Sequence, residues 1–310
     1  MSRDVLGVLT TRNEWYHPNG RLLEAAAKLG VEARLVHPAE LLPGLFPEPT
    51  PAAPVCEIQV IIPRIGSTID ESELAVVHHL ELMDIPALNG FNSIVLARDK
   101  FLALQRVAAA GSAVPRTLLL TSPDQAGRAM KLLNGPPIVL KTRRGRQGHG
   151  VSLAHDEDEV AEFLTEAVRR KDGIVAQEFI AEAAGRDIRV VVVDGRAVAA
   201  MMRQSGGADF RANVALGGRG SNLTMTDDLA GPAVKAAESL GLDVAGVDFL
   251  PSAKGLLIIE VNYTPGFREL ERVTGIDVAA KLIHAARLRI DRSSTRHLGH
   301  SRYHGPLVLH

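Results

Sequence analysis

The stretch Ala245–Phe267, AGVDFLPSAKGLLIIEVNYTPGF, restricts the fold more than any other part of the chain. Two apolar runs flank a Pro-Ser-Ala-Lys-Gly turn, the pattern of a β-hairpin. Successive side chains of a strand point to opposite faces, so the register of the hairpin decides which polar residues meet. A turn centred near Ala253 puts Asp248 diagonally opposite Glu260, and Glu260 and Asn262, two apart, share that face. Three oxygen-bearing side chains then converge, a donor set that suits Mg²⁺. A solvated hairpin face would carry the same residue types, so the segment alone leaves both readings open.

The rest of the chain supplies context. At 310 residues it can bury a substantial core in two or three packed units. Apolar content of 46% beside 23% charged residues is that of an ordinary globular protein. No window approaches the roughly 18 unbroken apolar residues that a spanning helix needs. The opening MSRDVLGVLTTRNEWY shows no cleavable leader pattern, so a cytoplasmic location without a membrane partner is expected. Lysine and arginine number 35 against 36 acids, which gives no global attraction to nucleic acid. The single cysteine, Cys56, excludes internal disulfides and reads as a small apolar residue beside a strand.

Strand, helix and strand alternate through VLGVLTT, RLLEAAAKLG and VEARLVHP, with Gly30 as the helix stop, and again through IQVIIPRIG and ESELAVVHHLELMD. This is an open α/β beginning that ends near residue 97. A helix through ARDKFLALQRVAAAG and a second through SPDQAGRAMKLLNG lead to PPIVLKTRRGRQGHGVSLA, two strands joined by a glycine-rich turn. VVVVDGRAVAAMM is a hairpin whose Asp194-Gly195 pair is a strong tight-turn signal. A helix near 229–241, the opening hairpin and a final helix DVAAKLIHAARL follow. The expected units are 1–97, α/β; 98–176, α+β with the glycine-rich lid; 177–288, α+β with the metal site; and a flexible, histidine-containing tail, 289–310.

Beside the hairpin, three motifs carry chemistry. Lys141 ends a strand and precedes Gly145, Gly148 and Gly150, whose backbone N–H groups can approach phosphate oxygens without a Cβ in the way. The lysine comes before the glycines and a strand follows them, which excludes the Walker A and Rossmann patterns. Glu178 closes a strand in AQEFI, where it either reads an adenine edge or ribose or simply faces water. Arg203, Arg211 and Asn213 lie in the glycine-rich stretch RQSGGADFRANVALGGRGS, suited to phosphate or carboxylate recognition or else a solvated loop.

Taken in order, PRIGS (63–67), ARDK (97–100), VLK (139–141), GRQGHGV (145–151), QEFI (177–180), RDIR (186–189), DFRAN (209–213), AGVDFL (245–250), EVNYTPGF (260–267) and TGIDVA (274–279) resemble the ATP-grasp enzymes. Within them the chain is similar to the RimK-type α-L-glutamate ligases over residues 1–288. The resemblance implies an ATP-grasp fold with an N-terminal pre-ATP-grasp domain, and ATP held between two α+β subdomains. It puts Lys100, Lys141 and Gly148 on the phosphates. Gln177, Glu178, Phe179 and Ile180 fall at the adenine, and Asp187 at the nucleoside. Asp248 with Glu260 would hold one Mg²⁺ and Glu260 with Asn262 a second, Mn²⁺ being able to substitute. Arg203, Arg211 and Asn213 would stabilise phosphate and oxyanion, Arg203 and Lys141 acting in catalysis, and Arg64 would clamp a substrate carboxylate.

The implied reaction is amide formation through an acylphosphate, with L-glutamate added to an acceptor carboxylate of a protein C-terminus, a pterin or deazaflavin cofactor, or glutamate itself. A homo-oligomer is expected. A ligase acting on a carrier protein of lysine or arginine biosynthesis, and a nucleotide-binding regulatory protein without turnover, are the competing readings. The chain departs from the common family pattern just after Asn262, where a small residue and Ser-Pro-Gly are replaced by Tyr263-Thr264-Pro265-Gly266-Phe267 followed by Arg268-Glu269-Leu270.

Overall fold

The computed structural model describes residues 4–45, 49–50, 55, 57–66, 69–145, 150–169, 172–183, 185–206 and 218–299. The chain opens with β1 (Val5–Leu9), α1 (His17–Lys28), β2 (Glu32–Val36), a small hairpin of β3 (Gly44–Leu45) and β4 (Pro49–Thr50), β5 (Val60–Pro63), α2 (Glu71–Leu82) and α3 (Phe91–Ala97). β2, β1 and β5 pair in that order, all parallel. β1 is buried throughout, as its unbroken apolar run VLGVL requires of a central parallel strand. Gly30 ends the first helix at φ +70°, and Asp70 with Glu73 forms a capping box that starts α2. Parallel strands share one carboxyl edge, and from it emerge the segments after Leu9, Val36 and Pro63. Open parallel sheets bind their ligands along that edge.

Next come α4 (Lys100–Ala109), β6 (Thr117–Leu120), α5 (Ala126–Leu132), β7 (Ile138–Thr142), β8 (Val151–Ala154), α6 (Glu157–Arg169) and β9 (Ile174–Glu178). The antiparallel sheet β6-β9-β7-β8 is packed by α5 and α6 around Met130, Leu133, Ile138, Leu140 and Leu164. The single helix expected through ARDK is broken: α3 ends at Ala97, and the Asp99 carboxylate accepts from Phe101 N and Leu102 N at 3.0 and 3.1 Å to start α4. β9 runs across the expected division at 176/177, because Gln177 pairs with both Thr117 and Val139.

The last part comprises β10 (Arg186–Val193), β11 (Arg196–Gln204), β12 (Arg219–Asn222), α7 (Asp227–Ser239), β13 (Val244–Ser252), β14 (Gly255–Asn262), α8 (Arg268–Thr274) and α9 (Val278–Gly299). Its antiparallel sheet runs β12-β11-β10-β13-β14. Asp194 and Gly195 both adopt positive φ, 47° and 70°, the geometry of a two-residue type I′ turn. Alternation along β10 divides two cores. Val190 and Val192 pack with Ala233 and Ala236 of α7, whereas Val191 and Val193 pack with Leu282 and Ile283 of α9 and with Leu22 and Ala26 of α1. The first sheet and this one therefore share their apolar interior. Buried Asn89 stitches them further, donating to Val244 O and Tyr263 O at 2.7 Å each.

The flexible tail expected from residue 289 is instead helical at first. α9 continues to Gly299, anchored by buried Ile290 and an Arg289–Asp243 ion pair. Residues 300–310 lie outside the described residues. No described helix is long and apolar enough to cross a membrane.

Candidate active site

The hairpin of β13 and β14 turns through Ala253 and Lys254, with Ser252 paired to Gly255. From that two-residue turn a regular ladder would offset Asp248 from Glu260. A β-bulge shifts the register beyond Phe249, which pairs with Ile258, and leaves Ile259 as the extra residue, so that Asp248 pairs directly with Glu260 rather than diagonally. Asn262 pairs with Gly246 and donates to Gly246 O at 3.4 Å and to Asp248 Oδ2 at 3.5 Å. Both acids and the amide thus occupy one face.

Asp248 is buried, and two arginines hold it. Arg189 of β10, its partner across the ladder, donates Nε to Oδ1 at 2.7 Å and Nη2 to Oδ2 at 2.6 Å. Arg203 of β11 reaches Oδ2 at 2.9 Å and also grips its own ladder partner, Asp187, at 2.5 and 2.7 Å. Burial pushes the Asp187 carboxyl up, with Arg203 opposing and Asp248 adding to the rise. Burial acts on Asp248 in the same sense, but Arg189 and Arg203 outweigh it and hold its pKa below the usual range.

Two lysines enter from the other sheet and from α4. Lys100, in the first turn of α4, lies 3.5 Å from Glu260 Oε1 and donates to Gly145 O at 3.0 Å. Asp99 caps that turn and pairs with Arg143, whose carbonyl accepts from Lys100 N at 3.0 Å. Lys141, near the end of β7, has its pKa lowered to about 8 by burial, with Glu260 and Asp248 raising it and Lys100 lowering it. The glycine-rich turn is pinched at its base, where Thr142 N donates to Gly150 O at 2.9 Å. Gly150 has φ +75°, and a Cβ there would stand 2.6 Å from Thr142 Oγ1. Gly148, Arg211 and Asn213 lie outside the described residues.

The QEFI segment sits at the end of β9. Gln177 is buried and donates to Thr117 Oγ1 at 2.9 Å. The Glu178 carboxylate is engaged on both oxygens, by Arg116 N at 2.8 Å and Asn134 Nδ2 at 2.9 Å. Phe179 and Ile180 follow, half-buried, as the chain turns into the single helical turn Ala181–Ala183. Arg64 leaves the carboxyl edge of β5 and donates Nη2 to Pro265 O at 3.0 Å, in the segment just past Asn262. Sequence reading singles out neither Arg189 nor Asp99, and it takes Arg143, with Arg144 and Arg146, as lid charge for an anionic acceptor or a solvated hairpin edge, whereas Arg143 pairs with Asp99 and Asp172. Arg189 was findable in principle, since it lies two residues from Asp187 on the same face of the strand.

The family of RimK-like ATP-grasp domains matches residues 97–286, and that of RimK pre-ATP-grasp domains matches residues 5–94. The chain belongs to the RimK-like ATP-grasp family. A probable alpha-L-glutamate ligase of Mannheimia succiniciproducens is 41% identical over 241 residues, 77% of this chain and 80% of that one. One of Xanthomonas euvesicatoria is 36% identical over 291 residues, 92% and 98% of the two chains. Among solved structures, a RimK domain ATP-grasp protein of Sphaerobacter thermophilus aligns at TM-score 0.74 with 22% identity, covering 92% of this chain and 99% of that one. D-alanine–D-alanine ligase of Bacillus anthracis, solved with ATP, aligns at 0.69 with 16% identity over 94% and 99%. The protein is accordingly an ATP-dependent ligase that joins a carboxylate to an amine.

The donor set fits the nucleotide and cation that a RimK-like ATP-grasp ligase uses. Asn262 turns its amide nitrogen toward Gly246 and Asp248, so its oxygen faces the other way. Among the described residues the one ion-pair partner of Glu260 is Lys100 at 3.5 Å, a loose contact that leaves its oxygens available to a cation. Asp248 Oδ1 accepts one hydrogen bond, from Arg189, and keeps a lone pair. Two carboxylates and an amide are hard oxygen donors; among the described residues no three His, Cys, Asp or Glu side chains form a metal-ligand cluster. Lys100 and Lys141 place two amines beside Glu260.

Proposed function

We propose that this RimK-like ligase adds L-glutamate to the carboxylate of an acceptor, through an acylphosphate. The observation that supports this reading most is the gathering of Lys100, Lys141, Arg203 and Arg189 around Asp248, Glu260 and Asn262, at the junction of two antiparallel sheets. Lys100 and Lys141 hold the phosphates, with Gly148 of the lid closing over them. Gln177, Glu178, Phe179 and Ile180 line the adenine. Glu178 acts there by fixing the strand end to Arg116 and Asn134, which leaves the recognition of the base edge to the backbone that follows. Asp187 faces the nucleoside through its pairing with Arg203.

Asp248 and Glu260 would hold one Mg²⁺ and Glu260 and Asn262 a second, with Mn²⁺ able to replace them. Bound there, the cations neutralise charge on the transferring phosphoryl group. The acceptor carboxylate oxygen attacks the γ-phosphorus and ADP departs; the amine nitrogen then attacks the acyl carbon and phosphate leaves. Arg203, Arg211 and Asn213 steady the negative charge of both steps. The lid excludes water, which would otherwise hydrolyse the acylphosphate. The acceptor is a protein C-terminus, a pterin or deazaflavin cofactor, or glutamate. The ligase works as a cytoplasmic homo-oligomer, with residues 1–97 as its pre-ATP-grasp unit, 98–176 extended through the end of β9 at Glu178 as its central unit, and the chain from there to 288 as its metal-bearing unit.

ADP release from ATP and Mg²⁺ is measured across a panel of amino acids and acceptors, with the product mass determined. Gain of one glutamyl unit, dependent on L-glutamate, is the expected result. No amino-acid-dependent release with any acceptor would favour a nucleotide-binding protein without turnover.

A further inference from the structure

The residues just past Asn262 fold onto the carboxyl edge of the first sheet. Tyr263 donates from its hydroxyl to Gly66 O at 2.7 Å, and Arg64 donates to Pro265 O. Phe267, 1% exposed, forms the floor between the two parts. The Arg64 guanidinium carbon lies 5.6 Å from its ring centroid, and the His17 ring 5.8 Å away at an edge-on angle of 61°.

Two buried polar atoms flank this ring without a hydrogen-bond partner, Arg64 Nε and His17 Nδ1. Native interiors seldom leave such atoms unpaired, and a functional ligand is one reason they do. Arg64 is 7% exposed and, among the described residues, no carboxylate lies within ion-pair distance of it. Burial depresses its pKa to about 10, because a buried charge is poorly solvated. His17 opens α1, whose N-cap Tyr16 offers no side-chain acceptor and whose first turn holds no acid, so the helix end keeps its partial positive charge. One polar atom is a donor that seeks an anion; the other is an acceptor that seeks an N–H.

The charged groups facing His17 are Glu271 and Arg268 of α8 and Arg21 of its own helix. Glu271, 4.0 Å from His17 Nε2, is already held by Arg21 Nε at 3.1 Å and by the N–H groups of Val278 and Ala279. A proton on Nε2, directed at Glu271, leaves the Nδ1 lone pair bare. Burial and Arg268 together lower the imidazole pKa, which keeps the ring neutral at pH 7.

We propose that Arg64 and His17 form the subsite for the incoming amino acid, Arg64 binding its carboxylate and His17 Nδ1 accepting from its ammonium group. His17 then takes the proton that the ammonium loses to become a nucleophile. The nitrogen forms the C–N bond as the acyl C–O bond to phosphate breaks, and phosphate departs with that electron pair and the second nitrogen proton. Phe267 and Arg268 shape the floor and rim. This inference rests on the ligase reading and supplies the amine site that reading lacks.

L-Glutamate binding to the full-length protein is measured by titration calorimetry with Mg²⁺ and a non-hydrolysable ATP analogue present. His17→Ala and Arg64→Lys are each expected to weaken it by about tenfold or more, the affinity for ATP shifting far less. His17→Asn retains a hydrogen-bonding side chain without a titrating one, so it recovers part of the binding while the acid limb of the kcat/KM profile against pH disappears. Unchanged glutamate binding in His17→Ala and Arg64→Lys proteins that melt like the wild type, or no glutamate binding by the wild type, overturns the subsite. Hydroxylamine, which traps an acylphosphate as a hydroxamate, tests the ligase reading separately in the wild type: hydroxamate with unaltered glutamate binding in the variants removes the subsite alone, and no hydroxamate with any acceptor removes the reading beneath it.

Discussion

Arg189 grips Asp248 by both carboxylate oxygens, at 2.7 and 2.6 Å, and Arg203 adds a third contact at 2.9 Å. Asp248 is 2% exposed and Arg203 5%, so the three form a buried network rather than a surface pair. Removing the acid strands two guanidinium groups in a poorly solvated place. Asp248→Ala is therefore expected to lose about 3–5 kcal/mol of stability as well as turnover. Urea unfolding of the variant measures the first and ADP release the second. A variant of wild-type stability would mean that water replaces the carboxylate and that the network is not a structural keystone.

Glu260 sits directly across the ladder from Asp248 but in a different environment. Its side chain is 33% exposed and its ion-pair partner, Lys100, is 3.5 Å away. A loose, solvent-reached pair of this kind contributes about 0–1 kcal/mol. Glu260→Ala is thus expected to unfold within about 1 kcal/mol of the wild type while ADP release falls by about a hundredfold or more. Turnover within a few-fold of the wild type would rule out Glu260 as the bridging ligand.

The contrast between these two acids marks where sequence reasoning stops. Both hairpin turns, at Asp194-Gly195 and Ala253-Lys254, are local chemistry, and both are visible in the sequence. The extra residue Ile259 is not, because a bulge is settled by how the strand packs, and it changes a diagonal pairing into a direct one. The partners of Asp248 come from β10 and β11, so they depend on a strand order that spacing along the chain does not specify. Glu178 shows the same limit: Arg116 and Asn134, brought in by β6 and the segment before β7, occupy both oxygens of a carboxylate whose sequence context suggested a free recognition group. The break at Asp99 is local in origin, yet good helix formers on both sides mask it.

Lys141 yields a pH signature. Its pKa falls from 10.5 to about 8, mainly because burial disfavours the ammonium form. Between these values the unfolded chain holds a proton that the folded chain lacks, so this group's contribution to stability rises with pH across that window and is unfavourable below it. Phosphate oxygens favour the charged amine, so nucleotide binding near pH 8 draws in a proton. Titration calorimetry in buffers of differing ionisation enthalpy is expected to register that uptake in the wild type and to lose it in Lys141→Met. The KM for ATP is expected to climb above pH 8 in step with it. Equal heats in all buffers at pH 8 would place Lys141 away from the phosphates.

Gly246, opposite Asn262, holds the post-Asn262 segment in place by lacking a side chain. A Cβ there would stand 2.8 Å from Pro265 Cβ, a contact that real side chains do not make. Pro265 cannot yield freely, since its carbonyl accepts from Arg64 and its neighbour Tyr263 is tied to Gly66 and Asn89. Gly246→Ala is expected to destabilise the protein by about 1–3 kcal/mol, the usual cost of overpacking, and to raise the KM for the amino acid as Arg64 and Phe267 shift. Gly231 of α7 supplies the comparison: a Cβ there meets nothing within 4 Å beyond its chain neighbours, and the helix-propensity gain of alanine is opposed by its clash with the ring of Pro232, so Gly231→Ala is expected to melt within about 1 kcal/mol of the wild type. Thermal melts of the two variants beside the wild type, with amino-acid KM values, test the assignment. Equal melting and equal KM for Gly246→Ala would mean that the segment slides without cost, and Pro265 would then not be what positions Arg64.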